Sequence, residues 1–116
     1  MAISRRLLST STGGLPITLS ASSVTVVHTT GISASIFDAA YIYASNSSTS
    51  NTEIRLYFGI GASLGSNDAF FSIPALTTIQ ICNGQILSGD NSSAKSISVY
   101  TNSSSIRIFG YINRIS

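Results

Sequence analysis

Apolar and polar residues alternate in short runs along most of the chain, and clusters of turn-forming residues separate these runs. The alternation is clearest in residues 53–60, where Ile54, Leu56 and Phe58 share one side of an extended segment. A period of two is typical of a β-strand with one buried face. Similar runs cover residues 17–19, 24–29, 37–44, 69–73, 95–101 and 105–113.

This succession of runs predicts an all-β protein with helix in less than about a tenth of the chain. The predicted fold is an antiparallel β-sandwich of the jelly-roll or another Greek-key type. Residues 79–87 (IQICNGQIL) predict a tight hairpin, because Asn-Gly can occupy both positive-φ positions of a type I′ turn. That turn would place Cys82 opposite Gln85. Residues 59–68 (GIGASLGSND) predict a long loop rather than a phosphate site, because neither a lysine nor a predicted helix follows.

The composition fits one domain with a hydrophobic core. The 116 residues are 43% apolar but only 9% charged, with six Lys or Arg against four Asp or Glu. A chain this apolar, with a net charge of only +2, lacks the signature of disorder. We assign residues 17–116 to the sandwich domain. Residues 1–16 carry Arg5 and Arg6 but no acid, and we expect them to form an extended N-terminal arm.

Several predicted strands are apolar or aromatic on both faces, which one sandwich core cannot bury. Exposed apolar patches usually mark contacts with other molecules, and the cores of such contacts carry few charges. We therefore expect a homo-oligomer, most simply a trimer, in which the arm crosses onto a neighbouring subunit. The alternative is an arm folded back on its own sandwich. The expected interface residues are Ile3, Arg5, Arg6, Leu7 and Leu8 in the arm and Tyr41, Tyr43 and Tyr57 in the strands.

The sequence contains no arrangement that indicates catalysis. His28 is the only histidine, and the four carboxylates, at Asp38, Glu53, Asp68 and Asp90, are isolated from one another. No Gly-x-Ser-x-Gly elbow is present to expose a nucleophile. We therefore predict a non-enzymatic protein with no catalytic residue, metal or cofactor, in which the histidine is an ordinary strand residue. The single cysteine excludes an intrachain disulfide and is expected to be buried.

Nucleic acid and membranes are not expected partners. The basic residues are scattered rather than gathered into a stripe that could neutralise phosphates. An uncharged stretch with high apolar content, residues 69–89, contains Pro74 and Asn83, which a bilayer helix would carry at high cost. A glycan remains an alternative ligand because tyrosines could stack on sugars, although the chain has no Trp and few carboxylates. The tyrosines are Tyr41, Tyr43, Tyr57, Tyr100 and Tyr111.

Four segments together resemble small all-β capsid decoration (cement) proteins of tailed bacteriophages, in particular marine and cyanobacterial phages. They are residues 17–20 (ITLS), 24–31 (VTVVHTTG), 40–46 (AYIYASN) and 108–115 (IFGYINRI). The resemblance implies a β-sandwich, commonly trimeric, that binds the outside of the capsid shell and braces the capsomers. The partner would be the major capsid protein or another virion protein, and no catalytic residue is implied. A tail, neck or fibre component of the virion is the alternative.

Overall fold

The computed structural model describes residues 2–59 and 68–116, so residues 60–67 of the predicted glycine-rich loop lie outside the described part. The described residues form strands and no helix, and none of them forms a helix that could cross a membrane. The all-β class is thereby confirmed. The nine strands are β1 (Ile3–Leu7), β2 (Ile17–Thr18), β3 (Ser23–Thr29), β4 (Phe37–Asn46), β5 (Thr52–Gly59), β6 (Asp68–Ile73), β7 (Thr78–Ser88), β8 (Ser96–Thr101) and β9 (Ile106–Ile115).

The strands form two antiparallel sheets. The first has the order β1-β9-β4-β7, with β2 lying beside β1 on the same edge of β9, and the second has the order β3-β8-β5-β6. Strands far apart in sequence pair with each other: β2 with β9, β3 with β8, β4 with β7 and β5 with β6. The pairs β4–β9 and β5–β8 then join these units within each sheet.

Both sheets contribute to one hydrophobic core. Its fully buried aliphatic side chains include Ile42 from the first sheet and Leu56 and Val99 from the second. The isoleucines predominate because β-branched side chains pack well on a pleated surface. Cys82 is buried in this core and unpaired, as predicted, and its burial raises the pKa of the thiol to about 11.

The predicted Asn83-Gly84 hairpin is wrong, because β7 continues through both residues. On β4, Ala40 pairs with Gln85 and Tyr41 pairs with Asn83, so Gly84 is an extra residue at a β-bulge. Gly84 has φ of 84°, a value that glycine adopts without strain. The positive φ that would suit a hairpin turn is used here to bend one strand, which pairs with β4 along its whole length.

The first residues lie on the chain's own first sheet. Strand β1 pairs with β9 from Ile3 opposite Ile115 to Leu7 opposite Tyr111. Leu8, which we expected at a subunit interface, is 1% exposed and belongs to the chain's own core. In this chain the N-terminal segment therefore forms an edge of the first sheet.

The bulge predicts a difference between two glycine substitutions. Gly84→Ala would force a side chain into positive φ and bring its Cβ to 3.4 Å from the Tyr41 hydroxyl, so we expect a loss of about 1–2 kcal/mol in the free energy of unfolding. Gly31→Ala is the control, because its φ is not in the positive region and no atom lies within 4 Å of the added Cβ. Urea denaturation measures both. Equal stability of the two variants would contradict the assigned role of Gly84.

Candidate functional site

A buried ionic cluster joins residues that the sequence analysis treated as isolated. Asp38 lies on the inner side of β4 and is fully buried. Arg114 of β9 donates two hydrogen bonds to it, from Nε to Oδ1 at 2.8 Å and from a terminal nitrogen to Oδ2 at 3.0 Å. The ring Nε2 of His28 lies 2.8 Å from Asp38 Oδ2. A bidentate guanidinium and an imidazole thus satisfy a carboxylate that would otherwise be costly to bury.

The other ring nitrogen of His28 is also occupied. Its Nδ1 accepts the backbone N–H of Ser9 at 3.1 Å, so Nε2 carries the proton and donates it to Asp38. Burial lowers the pKa of His28, and the hydrogen bond to Asp38 only partly offsets this effect. Burial also opposes ionisation of Asp38, but the hydrogen bonds from Arg114 and His28 outweigh it and lower the pKa of Asp38. The cluster therefore contains a neutral histidine beside an ion pair.

The cluster connects both sheets to the segment that follows β1. Thr29 donates its backbone N–H to Ser9 Oγ at 2.7 Å, and Thr10 Oγ1 donates to the carbonyl of Val27 at 2.6 Å. Together with the Ser9–His28 bond, these contacts hold residues 9–10 against β3 of the second sheet. Because both ring nitrogens are bonded within the protein and His28 is 2% exposed, this arrangement holds strands together rather than presenting a base to a substrate.

A bulge in β3 turns the histidine inward. Val26 pairs with Ser98 and His28 pairs with Ile97, which leaves Val27 as the extra residue. Both Val27 and His28 are buried as a result. Alternation alone would have placed these neighbouring residues on opposite faces.

The outer side of the first sheet forms a second feature, which we call the aromatic face. The pairing register places on it, among others, Ile3, Arg5 and Leu7 of β1, Arg107, Phe109, Tyr111, Asn113 and Ile115 of β9, Phe37, Tyr41 and Tyr43 of β4, and Ile86 of β7. Four of its apolar side chains are 41–62% exposed, and its charged members are Arg5 and Arg107. No described carboxylate belongs to it.

A row of stacked groups crosses all four strands of this face. The rings of Tyr41 and Tyr111 stack at 5.1 Å with an angle of 15° between their planes. The guanidinium of Arg5 lies 4.5 Å from the centre of the Tyr111 ring, on the β1 side. On the β7 side, the Tyr41 ring lies over Gly84, where a side chain would crowd it. A second pair, Tyr43 and Phe109, stacks at 5.4 Å beside this row.

The structure brings five of the eight expected interface residues onto the aromatic face: Ile3, Arg5, Leu7, Tyr41 and Tyr43. Arg6 lies on the opposite side of β1, exposed, and its Nε donates to Ser4 Oγ. Leu8 is in the core, and Tyr57 is buried on the second sheet. The aromatic residues of β9 and the exposed Ile86 were missed as interface residues, although their alternation along the strands signals a shared face.

Comparison with protein-family models, curated proteins and solved structures finds no match to this chain. Within residues 2–59 and 68–116, no group of three or more His, Cys, Asp or Glu side chains is placed to hold a metal ion. The interpretation of both features therefore rests on their own geometry and on the sequence.

Because His28 is buried in its neutral form, we expect the protein to lose stability in mild acid. The pKa of His28 in the folded protein lies below the ordinary value of 6.5, so the unfolded chain takes up the proton first. The contribution of His28 to the free energy of unfolding is complete above about pH 6.5 and declines as the pH falls below that value. Protonating Nδ1 would also break the bond from Ser9. Urea denaturation between about pH 7.5 and about pH 5 measures this slope, which His28→Gln should reduce because no other histidine is present.

Titration of the His28 ring by NMR gives an independent measurement that does not depend on how well the variant folds. The ring protons should begin to shift only at a pH below the ordinary histidine range. A ring that titrates at or above its ordinary pKa would show that the buried neutral form is wrong.

Proposed function

We propose that the two sheets form a jelly roll. In that fold the chain is laid out as one long antiparallel ribbon, so that its outermost strands pair with each other, and the ribbon is then wrapped into two sheets. The arrangement is supported by the pairs β2–β9, β3–β8, β4–β7 and β5–β6. Successive pairs also alternate between the sheets: the first and third lie in the first sheet, and the second and fourth in the second sheet. Strand β1 is an additional edge strand. Jelly rolls are frequent in viral capsid proteins and lectins.

We infer that the protein is a non-enzymatic structural protein that acts through surface contacts. The observation that carries this proposal is the aromatic face. Its exposed side chains include Ile3, Leu7 and Ile86, at 62%, 53% and 57% exposure. Soluble monomers rarely leave contiguous apolar patches beyond a few hundred Å² exposed. The face carries two cations, Arg5 and Arg107, and no described carboxylate, so it has the low charge of an interface core.

Homotrimers of this chain are the proposed assembly. The aromatic face is the surface whose burial would drive it, and a ring of three copies closes without leaving an open end. Arg5 does not oppose such burial, because its guanidinium already rests on the ring of Tyr111. The trimeric state itself follows from the resemblance to decoration proteins.

The proposed location is the outside of a bacteriophage capsid, where the protein would brace the capsomers of the major capsid protein. The resemblance of four segments to decoration proteins supports this location. The low content of charged residues, 9%, also supports it, because many copies can lie side by side with little mutual repulsion. Arg6, which is exposed on the other side of the edge strand β1, would face acidic groups of the shell. A tail, neck or fibre protein would use the same surfaces.

Assembly through the aromatic face predicts a specific effect of charge. Leu7→Glu introduces a charge into the face and should shift the mass in solution, measured by light scattering, from trimer to monomer. Leu76→Glu is the matched control, because Leu76 is 70% exposed in the turn between β6 and β7, away from this face. The control should keep the mass of the unmodified protein. A monomeric unmodified protein, or equal masses for the two variants, would rule out self-association through this face.

Binding to the shell predicts a role for β1. A chain lacking residues 2–7 retains Leu8 in the core and Ser9 on His28, and should therefore stay folded. We expect it to lose co-sedimentation with phage shells that lack their decoration protein, whereas the Leu76→Glu variant should still co-sediment. Undiminished co-sedimentation of the folded, shortened chain would show that β1 does not contact the shell.

A further inference from the structure

Four of the five tyrosines already pack against other groups of the chain. The rings of Tyr41 and Tyr111 are covered by each other, by Gly84 and by Arg5. The other two are engaged as well: one is stacked on Phe109, and one is buried on the second sheet. The fifth, Tyr100, lies on the outer side of β8 and lines a cleft.

The cleft lies on the outer side of the second sheet and has a volume of about 160 Å³. Phe70 of β6 and Tyr100 of β8 form its two aromatic sides, and both pair in register with Arg55 of β5 between them. The guanidinium of Arg55 lies 4.9 Å from the centre of the Phe70 ring. Glu53 of β5 and Asn102, directly after β8, line the same cleft.

Three polar side chains converge there without partners of their own. In the described part of the chain, the side chains of Glu53, Tyr100 and Asn102 make no hydrogen bond. Glu53 and Asn102 also line an adjoining groove of about 620 Å³. The rest of that groove carries hydroxyl and amide groups, from Ser48, Ser50, Asn51, Thr52, Ser72 and Ser103.

We propose that this cleft binds a neutral sugar, with the adjoining groove receiving the next unit of an oligosaccharide. A sugar ring presents hydroxyl groups that both donate and accept hydrogen bonds, together with C–H faces that pack on aromatic rings. The Glu53 carboxylate accepts from hydroxyls, and the Asn102 amide both donates and accepts. Phe70 and Tyr100 supply the apolar contact. This site is on the opposite sheet from the aromatic face, so it is independent of the proposed assembly.

Other classes of ligand fit the cleft less well. An anion would meet the Glu53 carboxylate as well as the Arg55 guanidinium, so the cleft offers it no net positive charge. A purely apolar ligand would cover Glu53 and Asn102 and leave them without hydrogen bonds, which is costly. A neutral polyol carries no charge and can hydrogen-bond to both Glu53 and Asn102.

Titration of the full chain with sugars, followed by NMR shifts of the backbone amides, tests the proposal. The probes are glucose, galactose, mannose and N-acetylglucosamine, with sialic acid as the anionic comparison. We expect at least one neutral probe to shift the amides of residues 53, 100 and 102 with a millimolar dissociation constant, and sialic acid to bind more weakly. Shifts confined to the aromatic face, or none with any neutral probe, would overturn the proposal.

Two variants locate the site. Glu53→Gln and Asn102→Ala should each weaken binding of the responding sugar about tenfold. Asn113→Ala is the matched control, because Asn113 lies on the outer side of the first sheet, and it should bind as the unmodified protein does. If Asn102→Ala and Asn113→Ala weakened sugar binding equally, the assignment of the sugar to this cleft would be wrong. A Leu7→Glu protein that is monomeric and still binds sugar agrees with both proposals, whereas one that stays trimeric and binds sugar would contradict only the proposed assembly. An unmodified protein that forms trimers but binds no sugar would contradict only this inference.

Discussion

A buried polar residue at each end of β4 fixes this central strand along its own axis. Its inner row begins with Asp38, continues through small and aliphatic side chains and ends with Asn46, which is 1% exposed. Asn46 Nδ2 donates to the carbonyls of Ser50 and Ile73, and Oδ1 accepts from the backbone N–H of Ser48. A shift of β4 by one residue would reverse its faces, so that Asp38 and Asn46 would lose their buried partners and Tyr41 and Tyr43 would point into the core. Since β4 pairs with both β7 and β9, their registers follow from it.

The same alignment of β4 decides which of its side chains point outward. With the inner row fixed, Tyr41 and Tyr43 must point outward, opposite Tyr111 and Phe109 of β9. The ring of Tyr41 then needs space on the β7 side, and the bulge at Gly84 leaves that space. The aromatic face is therefore a consequence of how the core is aligned, and its rings stack across neighbouring strands. The second sheet has no such stack of rings among its described residues, and a cleft with polar walls forms there instead.

Short alternating or apolar runs in the sequence were sufficient to locate β2 to β6, β8 and β9, even though β8 is buried on both faces. This pattern failed for β1, whose residues are exposed on both sides and show no hydrophobic period. It also failed at the bulges of β3 and β7, where an extra residue reverses the alternation. The Asn-Gly pair suggested a turn, and the inward position of His28 beside the buried Val27 was not predicted, although His28 is a strand residue as expected. Asp38 gave a usable signal, because it shares the alternation of the buried side of β4. Its partner Arg114 is 76 residues away, and only the fold brings the two together.

The edge of the aromatic face is attached to the second sheet through the ionic cluster. The segment that leaves β1 buries Leu8 in the core and then attaches to β3 through Ser9, which bonds both His28 and Thr29. Strand β1 itself buries little, so its position at the margin of the aromatic face depends on this attachment and on its pairing with β9. The attachment in turn requires a neutral His28, and Asp38 and Arg114 hold that ring in place. A change inside the cluster therefore acts on the edge of the aromatic face without touching any residue exposed there.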